Sequence, residues 1–129
     1  MLILFAVLVA VIVVAELTRP KAAAVALIPM TELAALHPEF GRRLLEFLIR
    51  ALQAGLMPKF TSGFRTAREQ NALKAAGRAR LSAEETLHTK GLAADFVEAQ
   101  GRYPALASIA REVGLQAVIE ADHLHLELD

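Results

Sequence analysis

At 129 residues, the chain has the size of one domain, and its apolar side chains, 55% of the total, are enough to bury a core without cross-links. Fourteen basic residues balance fourteen acidic ones, which removes the electrostatic case for nucleic acid as a partner. With no cysteine there can be no disulfide, no thiolate zinc site and no thiol nucleophile, so any metal must be held by histidine and carboxylate.

Residues 1–15, M-L-I-L-F-A-V-L-V-A-V-I-V-V-A, are apolar without interruption, and Glu16, Arg19, Pro20 and Lys21 follow. As a helix they would reach about 23 Å at roughly 1.5 Å per residue, short of the roughly 30 Å hydrocarbon core. Val13 and Ala15 are small residues of the kind that precede a signal cut, but the basic stretch ahead of the apolar run is missing. Basic residues behind the run favour keeping that side cytoplasmic, and a buried strand is the soluble alternative. The unbroken apolar run leads us to expect a signal or membrane anchor over residues 1–17, with membrane contact through it. Residues 18–30 then read as a linker and residues 31–129 as the folded domain.

Thr31 is positioned to cap a short turn through Leu36, and Pro38 stands at the first position of a longer helix. Phe40, Leu44, Phe47, Leu48 and Ala51 share one face of that helix, and Gly55 ends it. His37 sits at the helix boundary and reads as structural. Lys59 to Thr66, K-F-T-S-G-F-R-T, alternates like a strand and turns at Gly63. Thr66 and Glu69 form a capping box for a helix that Gly77 closes. Arg78 to Glu85 has loop composition. Pro104 opens a third long helix with Leu106, Ile109, Ala110 and Val113 inward and Gly114 at its end. Leu115 to Ile119 and His123 to Leu128 read as two strands. This order predicts a small single α+β domain with a mainly antiparallel sheet and flanking helices.

Two stretches carry the chemistry. Thr86 to Phe96, T-L-H-T-K-G-L-A-A-D-F, places His88 and Asp95 seven residues apart with Gly91 between them for a bend. The last eight residues, D-H-L-H-L-E-L-D, offer Asp122, His123, His125 and Glu127. Strand alternation there puts His123, His125 and Glu127 on one face and Leu124, Leu126 and Leu128 on the other. Three protein ligands plus an open position for water is the pattern of catalytic zinc, and a carboxylate three residues before a ligand histidine can serve that water as base. Two pairs satisfy the spacing, Asp122 with His125 and Glu120 with His123, and spacing alone does not choose between them.

L-H-P-E-F near residue 36, S-G-F-R-T with Gln70 downstream, T-L-H-T-K-G-L-A-A-D-F and the terminal D-H-L-H-L-E together resemble the zinc peptidases that cut peptidoglycan stem peptides. That family includes D-Ala-D-Ala carboxypeptidases and dipeptidases and the L-alanyl-D-glutamate endopeptidases of phage endolysins. Its patterns are S-G-Y-R, S-x-H-x-x-G-x-A-x-D and D/E-x-x-H, and the likeness runs in order from about Leu36 to the end, outside the apolar amino terminus. It implies a fold like that of the D-Ala-D-Ala peptidases and Hedgehog domains. By the same resemblance, His88, Asp95 and His125 bind zinc, Asp122 is the general base and Arg65 steadies the substrate carbonyl or carboxylate. Gln70 and Thr86 match positions near the substrate, with Thr86 where the family has serine. The family often has a bulky aromatic between base and last ligand, where this chain has His123 and Leu124. The L-E after His125 resembles the family's ending, which favours Asp122 with His125.

The resemblance thus implies metal-assisted amide hydrolysis without a covalent intermediate, acting on a peptidoglycan stem peptide. The D-x-x-H-x-E ending and short chain favour the L-Ala-D-Glu bond, as in an endolysin, over the terminal D-Ala-D-Ala bond. A monomer, membrane-associated or exported toward the cell wall and of host or phage origin, is expected. The rival reading is a non-catalytic module that keeps the zinc to bind cell wall or a partner.

Overall fold

Proline starts and glycine stops divide the chain much as its sequence predicts. A computed structural model describes residues 27–82 and 86–128. Helix α1 spans Met30–Ala34 and α2 spans Pro38–Gln53, with Pro38 in the first turn of α2. His37 is the N-cap of α2, its ring accepting a hydrogen bond from the Glu39 N–H at 3.2 Å. Thr31 does not cap α1. That helix starts two residues earlier because Pro29, with φ −59°, presents its carbonyl to the Leu33 N–H at 3.0 Å.

Strand β1 covers Lys59–Ser62 and is shorter than the alternation predicts. Beyond Ser62 the backbone leaves the sheet, and the Arg65 N–H donates to the His88 carbonyl at 3.1 Å. Helix α3, Ala67–Ala75, carries the predicted capping box between Thr66 and Glu69. A single 3-10 turn at His88–Lys90 leads into β2, Ala93–Val97. Helix α4 is Tyr103–Glu112, and strands β3, Gln116–Ile119, and β4, Leu124–Glu127, complete the described chain.

The four strands form one antiparallel sheet in the order β1-β2-β4-β3. The small α+β domain expected from the sequence is therefore the observed class. Because side chains alternate across a strand, Ala94 and Phe96 of β2 and Leu124 and Leu126 of β4 face one side. Phe40, Leu44, Phe47 and Leu48 of α2 and Leu106 and Ala110 of α4 join them in one buried cluster. Phe96 is its aromatic centre, edge-on to Phe47 at 5.6 Å and to Phe60 at 5.9 Å. The opposite face of the sheet is left for polar groups.

Packing reaches ahead of residue 31, since Ile28 is only 1% exposed and belongs to this cluster. The expected signal or anchor at 1–17, most of the 18–30 linker and residues 83–85 of the loop lie outside the described residues. Among the described residues, no helix is long and apolar enough to cross a membrane.

Phe96→Ala removes a ring that touches both α2 and β1. It should destabilise the domain by about 3–5 kcal/mol in chemical denaturation, the usual range for an aromatic lost from a core. A loss below about 1 kcal/mol would contradict this packing.

Candidate metal centre

The polar face of the sheet has Asp95 near its middle. The β2–β4 register pairs Asp95 directly with His125 and Ala93 with Glu127, so period-two alternation brings both acids and the histidine to the same side. Small Ala93 leaves room beside them. His88 arrives from the 3-10 turn ahead of β2, where its N–H donates to Thr86 Oγ1 at 3.3 Å. Gly91 makes that turn possible: its φ is +69°, its carbonyl accepts from the His37 N–H at 2.9 Å, and a Cβ there would lie 2.9 Å from the same nitrogen.

His88, Asp95 and His125 converge, with one potential ligand atom from each lying within 4.8 Å of the others. His88 Nδ1 lies 2.8 Å from the Gly63 carbonyl, which can only accept, so Nδ1 carries the proton and Nε2 is free to bind a cation. That Nε2 lies 3.4 Å from Asp95 Oδ2. A cation between them would be held by both groups. His125 Nδ1 is 2.9 Å from Asp95 Oδ1, while its Nε2 is 3.0 Å from Glu127 Oε2, the carboxylate support that metal-binding imidazoles commonly have. The donor set, two imidazoles and one carboxylate in an open cleft, fits a catalytic zinc site.

Burial pushes the Asp95 carboxyl upward, but hydrogen bonds from His125 and His88 outweigh it and hold the group well below the usual carboxylate range. The hydrogen bond to Asp95 raises His125 above its ordinary value, against the opposing effect of burial. Asp95 and His125 therefore favour the ion-paired form, whose proton a bound metal would displace.

Arg65, Gln70 and Thr86 line a cleft of about 380 Å3 around this centre together with His123, whereas Asp122 is not among its lining residues. Arg65 Nε donates to Ser62 Oγ at 3.0 Å, Nη1 to Gln70 Oε1 at 2.9 Å and Nη2 to Asp95 Oδ2 at 3.3 Å. Gln70 is 1% exposed and uses its amide N–H on the Leu81 carbonyl at 2.7 Å, so it positions both Arg65 and the loop after α3. Thr86 is buried beneath His88. Asp122 is exposed, and its carboxylate lies 2.6 Å from His123 Nδ1, a hydrogen bond that lowers its pKa. His123 Nε2 faces the centre, 3.8 Å from Asp95 Oδ1, yet the ligand cluster holds His125 and not His123. Glu120 lines the same cleft. A larger groove of about 730 Å3 between α1 and α2 is lined by Leu33, Leu45 and Ile49, and its charged residues Arg42 and Glu46 are paired along the helix with Glu39 and Arg50. Volume favours that groove, but the chemistry is in the cleft.

The chain shares its fold with an endopeptidase. The crystal structure of the Serratia marcescens L-Ala D-Glu endopeptidase ChiX superposes with a TM-score of 0.58 over 77% of this chain and 84% of that one, at 21% identity. No protein-family model and no curated protein matches the chain. The neighbour supports a peptidoglycan-peptidase-like fold.

The supporting groups were the least visible in sequence. Glu127 was marked by alternation with His125, whereas the Gly63 carbonyl, the Ser62 hydroxyl and the Asp122–His123 pair depend on turns that periodicity does not specify. Elemental analysis of the purified protein should find one zinc per chain. His88→Ala, Asp95→Ala and His125→Ala should each lose it, and His123→Ala should keep it, because two remaining ligands cannot complete the shell. Zinc retained by the first three, or lost only with His123→Ala, would move the site.

Proposed function

We propose that this protein is a zinc-dependent peptidase that hydrolyses the L-Ala-D-Glu bond of peptidoglycan stem peptides. The observation that carries the reading is the convergence of His88, Asp95 and His125 beside Arg65, in one cleft of a fold shared with an L-Ala D-Glu endopeptidase. Bound zinc would supply a Lewis acid and lower the pKa of its water toward roughly 7. His88 through Nε2, His125 through Nδ1 and the Asp95 carboxylate would hold it.

The protein's own groups do the rest. Asp122, three residues before His125, holds His123 Nδ1 at 2.6 Å, so His123 Nε2, which faces the centre, would take the proton of the attacking water while the Asp122 carboxylate orients the ring and offsets its charge. Arg65, fixed by Ser62 and Gln70, presents its remaining N–H groups to the carbonyl oxygen as charge develops there. Gln70 and Thr86 hold that arrangement from below. Both would contact substrate only at the cleft wall. A monomer suffices, since one chain supplies every group. The apolar residues 1–17 would bring the enzyme to the membrane or across it toward the wall.

Purified peptidoglycan digested with the zinc-loaded protein should yield new amino-terminal D-glutamate by mass spectrometry. Free D-alanine without new D-glutamate termini would point instead to a carboxypeptidase, and zinc binding without any cleavage to a binding module. Asp122→Asn should keep its metal while hydrolysis falls by roughly two or more orders of magnitude. His123→Ala should also keep the metal, and a rate equal to wild type would remove His123 from the base.

A further inference from the structure

Three arginines, Arg65, Arg78 and Arg80, line the cleft together with Glu120, Glu127 and the cluster of His88, Asp95 and His125. Arg65 is largely committed: three of the five N–H donors of its guanidinium go to Ser62, Gln70 and Asp95, which leaves two for a reacting carbonyl. Arg78 and Arg80 are different. Neither has a carboxylate partner among the described residues.

Their backbone is nevertheless fixed. The Arg78 and Ala79 N–H groups donate to the Leu73 carbonyl at 2.8 and 3.2 Å, closing the end of α3. Three residues on, the Leu81 carbonyl accepts from buried Gln70 at 2.7 Å, and Gln70 is the residue that also holds Arg65. One buried amide therefore sets the distance between the arginine at the centre and the segment bearing the other two. Arg78 also borders an adjoining cavity of about 340 Å3 that reaches Phe60, Phe64 and Arg65, so it stands on the ridge between two compartments. Guanidiniums without a carboxylate partner among the described residues, on an anchored backbone at a cleft wall, suit a carboxylate ligand.

We propose that Arg78 and Arg80 form a carboxylate-binding subsite beside the reacting amide, and that the substrate is a peptide carrying a free carboxylate next to the bond that is cut. This rests on the peptidase reading above. A D-glutamyl residue joined through its side-chain carboxyl keeps such a group, its α-carboxylate, one residue from the L-Ala carbonyl. Its amidated counterpart has nearly the same shape but lacks the charge and presents an NH2 donor in place of one acceptor oxygen.

The test uses the full-length zinc-loaded protein and two synthetic peptides, L-Ala-γ-D-Glu-L-Lys and the same peptide with the D-Glu α-carboxylate converted to a carboxamide. Wild type should prefer the carboxylate peptide in kcat/KM by roughly tenfold, the scale of a charge-assisted hydrogen bond. The double variant R78Q/R80Q, with zinc content as in wild type, should bring that ratio to within about twofold of one. The single variants R78Q and R80Q carry the same readout if the double variant loses zinc. Equal use of both peptides by wild type, or a preference that survives the substitutions, overturns the subsite. If neither peptide is cut, the peptidase reading fails, and calorimetric titration of the same peptides decides the subsite by itself. Tighter binding of the carboxylate form that depends on Arg78 and Arg80 supports it, and equal binding overturns it.

Discussion

A carboxylate placed on a central strand and largely buried has to be compensated, and Asp95 imposes that requirement on everything around it. Its side chain is 11% exposed, and three cationic or proton-bearing groups meet it: His125 at 2.9 Å, Arg65 at 3.3 Å and His88 at 3.4 Å. Leaving such a charge without partners costs several kcal/mol, so the partners are obligatory for folding as well as for chemistry. They come from β4, from the segment after β1 and from the turn before β2, and the sheet order places β2 between β1 and β4. A strand with both neighbours occupied can gather ligands from each side.

The rest of the fold keeps those partners still. Helices α2 and α4 bury the apolar face of β2 and β4, so Phe96 and Leu124 anchor the strands whose alternate residues carry Asp95 and His125. The Gly63 carbonyl fixes the His88 ring, Glu127 fixes that of His125, and Gln70 fixes Arg65. Each residue at the centre thus has one group toward the cleft and another spent on a support, which is how a site avoids reorganising when charge develops in it.

Much of this was legible in the residues. Pro38, Gly55, the Thr66–Glu69 box, Pro104 and Gly114 marked helix ends, because capping and φ restrictions act locally. The alternation in L-H-L-E separated the core from the site on β4 for the same reason. What could not be read was anything set by long-range register. Spacing allowed His123 or His125 as the third ligand, and it is register that groups His125 with His88 and Asp95: Asp95 pairs opposite His125, while His123 lies in the turn and its carbonyl accepts from the Glu120 N–H. The partner of Asp122 depends on that same turn. Thr31 failed as a cap because Pro29 already supplied the starting geometry. Gln70 was visible only as a residue near the substrate, since α3 has a weak apolar face and its one buried residue is this polar one.

On the proposed reading, two imidazoles and one carboxylate, on His88, His125 and Asp95, would hold a zinc ion that keeps an open position. X-ray absorption spectroscopy of the zinc-loaded protein measures the shell directly. Two imidazole nitrogens with oxygen donors, all at about 2.0–2.2 Å, in four or five coordination are expected. Three imidazoles, which would bring His123 into the shell, or oxygen donors alone would contradict that reading.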